Sequence, residues 1–244
     1  MSISGRQEQI LELLNENNFL TVEKLASMLY TSQSSIRRDL TKLQSLRFIE
    51  RTHGGAHILA GDNHAAPYAS RMTQNIVGKR KIAKKATELI SEGMSVMLDG
   101  SSSASFLVPH IARLRNVDLF TNNMLTAINA VNHGIKTHCL GGDSVHNSAV
   151  LLGPQTYKIA KEIRPDILFF SSYSLDSNGI ISDPVQQENY LRTILIESAK
   201  CSVFLCDSEK FGRSSLYTLC TLDDIDVAVF DEPFCELKTK CNIL

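Results

Sequence analysis

The chain has 244 residues, 43% of them hydrophobic, and a formal net charge of −1. At about 150 residues per domain this length allows one or two domains, and the near-neutral balance excludes a histone-like polycation, so any nucleic-acid affinity has to come from local clustering of charge. The polar start MSISGRQEQI excludes a signal peptide, the longest apolar runs, such as Ile167–Phe170, are far too short for a bilayer, and a cytoplasmic protein with no membrane partner is expected. Cysteines 139, 201, 206, 220, 235 and 241 form no C-x-x-C pair and have no histidine at zinc-finger spacing, so reduced thiols with no metal and no cofactor are expected.

In chain order, residues 6–15 place Ile10, Leu11 and Leu14 on one helical stripe, and Asn17-Asn18 breaks it. Thr21 is placed to cap a short second helix with Val22, Leu25, Ala26 and Leu29 inward. After the tight connection Tyr30-Thr31, Ser32 is placed to cap a third helix whose apolar face is Ile36, Leu40 and Leu43. Ser34, Arg38, Thr41 and Lys42 fall broadly opposite that face, with Arg37 on its flank. Short hydroxyls and cations on a free face suit the major groove, where Arg bonds guanine bidentately. Taken alone, the tripeptide Arg37-Arg38-Asp39 fits an amphipathic surface helix equally well. The next residues favour DNA: Phe48–His53 alternates weakly, Gly54-Gly55 signals a turn, and Ala56-His57-Ile58 returns, a hairpin carrying Arg51 and His53 toward phosphate or the minor groove. Between Arg37 and Arg51, five cations face Asp39 and Glu50, a local excess of +3. That modest excess points to base contacts and a homodimer or larger assembly in place of bulk charge. The pattern is a winged helix-turn-helix over residues 1–60, with double-stranded operator DNA as partner. Ser32, Gln33, Ser34, Ser35, Arg37, Arg38, Thr41, Lys42, Arg51 and His53 are its candidate contacts.

Residues 61–78 lack sustained periodicity and read as a linker. In Lys79–Ile90, Ile82, Ala83, Ala86, Leu89 and Ile90 share a face, and the five cations read as a solvated side, with a second DNA-backbone contact as the lesser reading. Strand-like segments then come at 95–98, 117–120, 136–140, 167–170, 202–206 and 225–230, with helical stretches at about 103–114, 123–132, 155–163 and 185–199. This alternation predicts an α/β domain with a mostly parallel sheet over 79–244. Nearly every strand hands over to Asp, Ser, Thr, Asn or Gly, on the side where open α/β sheets bind ligands. Each such residue alone is explained as a cap or turn. Together, Asp99, Gly100, Ser101, Ser102, Ser103, Thr121, Asn122, Gly142 and Ser171 outline a pocket, and the serine run at a helix start favours a phosphorylated ligand.

Ser35–Leu40 (SIRRDL), Leu43 and Arg51–Ala56 (RTHGGA) resemble the N-terminal signature of the DeoR family of transcriptional regulators, departing only mildly at Thr31 and Ser35. The second half resembles that family's effector domains at lower specificity, through Asp99–Ser103, Thr121-Asn122, Gly141-Gly142 and Asp207–Gly212. The resemblance implies a ribose-5-phosphate isomerase-like fold, a phosphorylated sugar as effector, and Lys210 as a further effector contact. Tyr173 stands where the family commonly has small residues and is expected to reshape the pocket. The reading is a repressor of a carbohydrate-metabolism operon. A sugar-phosphate isomerase with an appended DNA module is the alternative, and a pure interaction module fits the polar strand ends poorly.

Overall fold

The computed structural model describes residues 5–17, 19–45, 49–52, 54–58, 68–144 and 149–244. The chain forms two compact units that divide between Ile76 and Val77.

The first unit runs α1 (Gly5–Asn17), β1 (Phe19–Thr21), α2 (Val22–Met28), α3 (Gln33–Ser45), β2 (Ile49–Thr52) and β3 (Gly55–Ile58). The apolar stripes meet as their spacing requires: Ile10, Leu11 and Leu14 of α1 pack with Leu25 of α2 and Ile36, Leu40 and Leu43 of α3. The hydroxyl oxygen of Thr21 accepts the Lys24 N–H at 3.1 Å and caps α2. Ser32 does the same for Ser35 at 3.3 Å ahead of α3. β3 lies between β1 and β2 and is antiparallel to both. β1 has no counterpart in the sequence reading, because its three residues are too few to show a period. Gly55 is required at that crossing, since a Cβ would run into the Leu20 carbonyl and the Phe19 ring. A short helix α4 (Tyr68–Arg71) falls in the segment expected to be a linker, and α5 (Ile76–Thr87) begins three residues before Lys79.

The second unit is built on a seven-stranded parallel sheet. Its strands are β4 (Ser95–Leu98), β5 (Asp118–Thr121), β6 (Lys136–Cys139), β9 (Ile167–Phe170), β12 (Ser202–Cys206), β14 (Val227–Phe230) and β15 (Asn242–Ile243), in the order β15-β14-β12-β9-β4-β5-β6. Between them in the chain come α6 (Ser102–Ser105), α7 (Val108–Ile111), α8 (Met124–Asn132), β7 (Asp143–Ser144), β8 (Leu151–Leu152) and α9 (Pro154–Glu162). Further on are β10 (Ser174–Leu175), β11 (Ile180–Asp183), α10 (Gln186–Ser198) and β13 (Tyr217–Thr221). Alternate residues of each central strand feed opposite faces. Val96, Phe169, Val203 and Leu205 join a core with Ile82, Ala86 and Ile111. Met97, Leu168, Phe170 and Phe204 join the other with Leu191 and Leu195 of α10. Phe169, Phe170 and Phe204 are fully buried, each contributing about 1.5–3 kcal/mol of transfer free energy.

The helix expected over 103–114 is two short ones. Pro109 has no N–H to continue the ladder from α6, and Phe106-Leu107, still right-handed helical in backbone, joins the two through tighter i→i−3 bonds. The antiparallel sheet β10-β11-β13 has no counterpart in the sequence reading. From β4 the chain steps to β5 and β6, then crosses to β9 on the other side, so the switch in strand order lies at β4. Ligand crevices form outside the strand ends at such a point.

Candidate functional site

On the first unit, the candidate DNA face is α3 and the hairpin. Ser32, Gln33, Ser34, Arg37, Arg38 and Thr41 are exposed, while Ser35 and Lys42 are half-buried. Gln33 Oε1 accepts from Arg37 Nη2 at 3.1 Å, and Ser32 Oγ bonds the hydroxyls of Ser34 and Ser35, each at 3.0 Å. Arg51 on β2 donates to Thr41 Oγ1 at 3.0 Å, so the hairpin arginine is braced against the recognition helix. His53 lies outside the described residues, as does Arg47 of the charge count. Asp39, counted in the sequence against the DNA face, points the other way. It is buried, and its carboxylate accepts from Arg6 Nε at 2.6 Å and Gln7 Nε2 at 2.8 Å, tying α3 to α1. The solvated basic face expected around Lys79–Lys85 is partly internal. Lys79 is buried, Lys81 pairs with Glu232, and Lys85 donates to the Phe230 carbonyl at 2.9 Å.

In the second unit, Asp99, Gly100 and Asn122 lie together at a small cavity of about 10 Å³, room for about one water molecule. Its other polar walls are Glu188 and Arg192 from α10, and its apolar lining is Leu152, Leu191 and Leu195. Gly100 is needed here because a Cβ would press on Val150 at 2.8 Å. Arg192 dominates the electrostatics. Its side chain is 4% exposed, and it donates from Nε to Asp99 at 3.1 Å, from Nη1 to Asp183 at 3.0 Å and from Nη2 to Glu188 at 2.7 Å. Burial works against its charge, but the carboxylates of Asp183, Glu188 and Asp99 more than offset that and hold the guanidinium protonated beyond its ordinary range. Asp99 is fully engaged. One oxygen accepts the Ser101 N–H at 3.0 Å, the other the Ser171 N–H at 3.3 Å and Arg192. These bonds join the ends of β4 and β9 to α10.

The remaining candidates divide by what their polar atoms do. Ser101 caps α6 through Ala104 N–H, Thr121 Oγ1 accepts from Asn123 N–H, and Ser102 receives the Ser105 hydroxyl on its carbonyl. Gly142, at φ 115°, lets Thr156 and the Leu152 carbonyl approach where a Cβ would collide. Ser171 Oγ donates to the Leu205 carbonyl at 2.5 Å and accepts from Lys210 Nζ at 2.7 Å. Lys210 also lies 3.4 Å from Asp207, at the strand ends as expected. Among these candidates, Ser103 Oγ and Asn122 Oδ1 are buried with no hydrogen-bond partner among the described residues. Tyr173 is about half exposed and is not among the residues that line the cavity.

Sequence reasoning missed Arg192, Asp183 and Glu188. A signal was present, since Glu188, Leu191, Arg192 and Leu195 recur at i, i+3, i+4 and i+7, which puts a charged pair inside an apolar stripe.

Residues 6–60 match the DeoR-like helix-turn-helix domain and residues 74–232 the DeoR C terminal sensor domain. The chain belongs to the DeoR family. It is 30% identical over 227 residues to the HTH-type transcriptional regulator GolR of Listeria innocua, covering 93% of this chain and 89% of that one. It is 28% identical over 226 residues to the regulator GlpR of Haloferax volcanii, with the same coverage. With the L-fucose operon activator of Escherichia coli it shares 29% over 232 residues, 94% and 95% of the two chains. Among solved structures, ribose 5-phosphate isomerase A of Methanocaldococcus jannaschii aligns with a TM-score of 0.43 and 19% identity over 57% of this chain and 55% of that one. This DeoR-family chain is thus a DNA-binding transcriptional regulator with a sensor domain, and the reading as an isomerase with an appended DNA module is set aside, because its relatives along nearly their whole length are regulators. No helix among the described residues is long and apolar enough to cross a membrane.

Proposed function

We propose that this regulator represses a carbohydrate-metabolism operon in the cytoplasm, holding double-stranded operator DNA as a homodimer or larger assembly and releasing it when a phosphorylated sugar enters the crevice. Arg38 and its neighbours on α3 read bases in the major groove, and Arg51 grips the backbone. With so few cations per copy, two half-sites about one helical turn apart supply the remaining affinity. The sugar assignment draws on the relatives, one of which is named for an L-fucose operon. Repression, the direction named for the AccR and GlcR relatives, results if the bound protein occludes the promoter.

The observation that carries the effector reading is the pair of buried, partnerless atoms, Ser103 Oγ and Asn122 Oδ1, on the strand-end side of the sheet that also carries Lys210. Buried polar groups are almost always satisfied, and leaving one unmet costs about 1–3 kcal/mol. A ligand with hydroxyls and an anionic group answers both. The Lys210 ammonium and the Ser103 hydroxyl replace part of the phosphate's hydration, and Asn122 takes a sugar hydroxyl. The test is a screen of phosphorylated sugars for release of the protein from its own upstream DNA. Release by at least one of them, and not by inorganic phosphate, is expected. No release by any of them overturns the effector assignment.

A further inference from the structure

We infer that α8 (Met124–Asn132) is the contact through which two copies of this chain pair, with Ile128 at the two-fold axis. This rests on the homodimer reading above and names the surface that makes the pair.

The amphipathicity of α8 is inverted. The residues it turns into the domain are small or polar, Thr126 at 1% and Ala130 at 0% exposure, and they let the helix lie close on β5 and β6. Its large apolar side chains point outward: Met124, Leu125, Ile128 and Val131 are 39%, 48%, 49% and 60% exposed. At about 100° per residue these four share an arc of roughly 120°, with Ile128 near its centre. An ordinary surface helix turns such a stripe to the core, so a stripe left outside is a site of contact. The helix is also held ready for one. Asn123, fully buried, caps it by accepting the Leu125 and Thr126 N–H groups at 2.9 and 3.0 Å, so association has little left to order.

Charge decides which partner fits. From Leu119 to Ile135 there is no Asp, Glu, Lys or Arg, in a chain where 21% of residues are charged. The first charges on either side, Asp118 and Lys136, bond each other at 2.9 Å and cancel. DNA, an anionic lipid surface or an acidic peptide would need cations here, and a basic peptide would need carboxylates. A neutral apolar face matches another of its kind, and every copy of the chain carries one that meets itself across a two-fold without like-charge repulsion. The stripe is also close to symmetric about Ile128. With the helices antiparallel, Leu125 packs on Val131 of the partner subunit and Ile128 on its own counterpart. A specific interface buries about 800 Å² per partner, an apolar core inside a polar rim. The four side chains, on a helix about 14 Å long, give the core. β6, the edge strand of the sheet beside α8, gives rim through its exposed Lys136 and His138.

The experiment is sedimentation velocity of the full-length protein over a concentration series, with thermal melts to show that each variant is folded. The proteins are wild type, Ile128→Glu, the double truncation Leu125→Ala with Ile128→Ala, and Leu216→Glu, which puts the same charge on an exposed leucine outside α8. Wild type is expected to form a dimer or larger assembly. Ile128→Glu should fall by one step, dimer to monomer or tetramer to dimer, or associate at least about tenfold more weakly, while Leu216→Glu is unchanged. The double truncation adds good helix formers at exposed positions, so it folds whatever the glutamate does, and it should weaken association in the same direction. An equimolar mixture of Ile128→Glu and Ile128→Lys should regain the wild-type assembly, because opposite charges then meet at the axis. A mixture that stays dissociated overturns the placement of Ile128 there. Full-strength association of both Ile128→Glu and the truncation overturns the inference, gives the face to another occupant, and leaves the homodimer reading intact. A wild type that stays monomeric throughout the series overturns both.

Discussion

Removing the Arg192 side chain should be the most damaging single change in the sensor domain. Its guanidinium bonds three carboxylates at 2.7–3.1 Å, all at least nine-tenths buried or nearly so. Arg192→Leu fills much of the space but leaves Asp99, Asp183 and Glu188 facing one another without a cation. Breaking a buried ion pair from one side costs about 3–5 kcal/mol. For a unit of this size each kcal/mol lowers the midpoint by about 2–4 °C, so a fall of roughly 6–20 °C is expected. The loss has a pH signature. Carboxylates left unpaired in a buried site have folded-state pKa values raised above their unfolded ones, so they favour the fold when protonated and oppose it when ionised. The gap between variant and wild type should therefore narrow as pH falls from 8 to 5. The chain has no tryptophan, so calorimetry or far-ultraviolet circular dichroism is the assay. A cost below about 1 kcal/mol, or a gap independent of pH, would refute the account of Arg192 as the charge that holds β4, β9 and α10 together.

On the DNA module, Arg38→Ala should cost about 1–3 kcal/mol at the operator and flatten preference among sequences, whereas Arg51→Ala should weaken all sequences evenly and lower the salt slope; gel-shift titrations at several salt concentrations separate the two. Asp39→Ala should destabilise the first unit by about 1–3 kcal/mol by removing the carboxylate that ties Arg6 and Gln7 of α1 to α3, read as a lower midpoint for that unit in calorimetry. Asp99→Ala should lower the sensor-domain midpoint as well as any effector response, since three donors lose their acceptor, which a thermal melt would register before any binding assay.

The recognition helix was legible because its period, caps and free face are all written within thirty residues, and the strand ends because parallel strands bury both faces and stop abruptly at polar letters. The inward turn of Asp39 was not, since its partners Arg6 and Gln7 lie more than thirty positions away. A helix reads its own face from the sequence, but a charge's partner comes from tertiary packing. The ion pair of Asp99 was not legible for the same reason: α10 delivers Arg192 from ninety-three positions further on. The small antiparallel sheet was missed because β10 and β11 are short and, like β13, mix serine, threonine and aspartate with their apolar residues, so no clean alternation shows.

The claim that a phosphorylated sugar works through the crevice is tested most directly by an operator-release titration on wild type and Lys210→Ala side by side. Lys210 is the cation at the strand ends, and its loss leaves Ser171 still bonded to the Leu205 carbonyl. Equal operator affinity is expected for the two proteins without effector, with release of the variant only at effector concentrations at least about tenfold higher. Release of Lys210→Ala at the same concentrations as wild type would contradict the claim and place the ligand elsewhere.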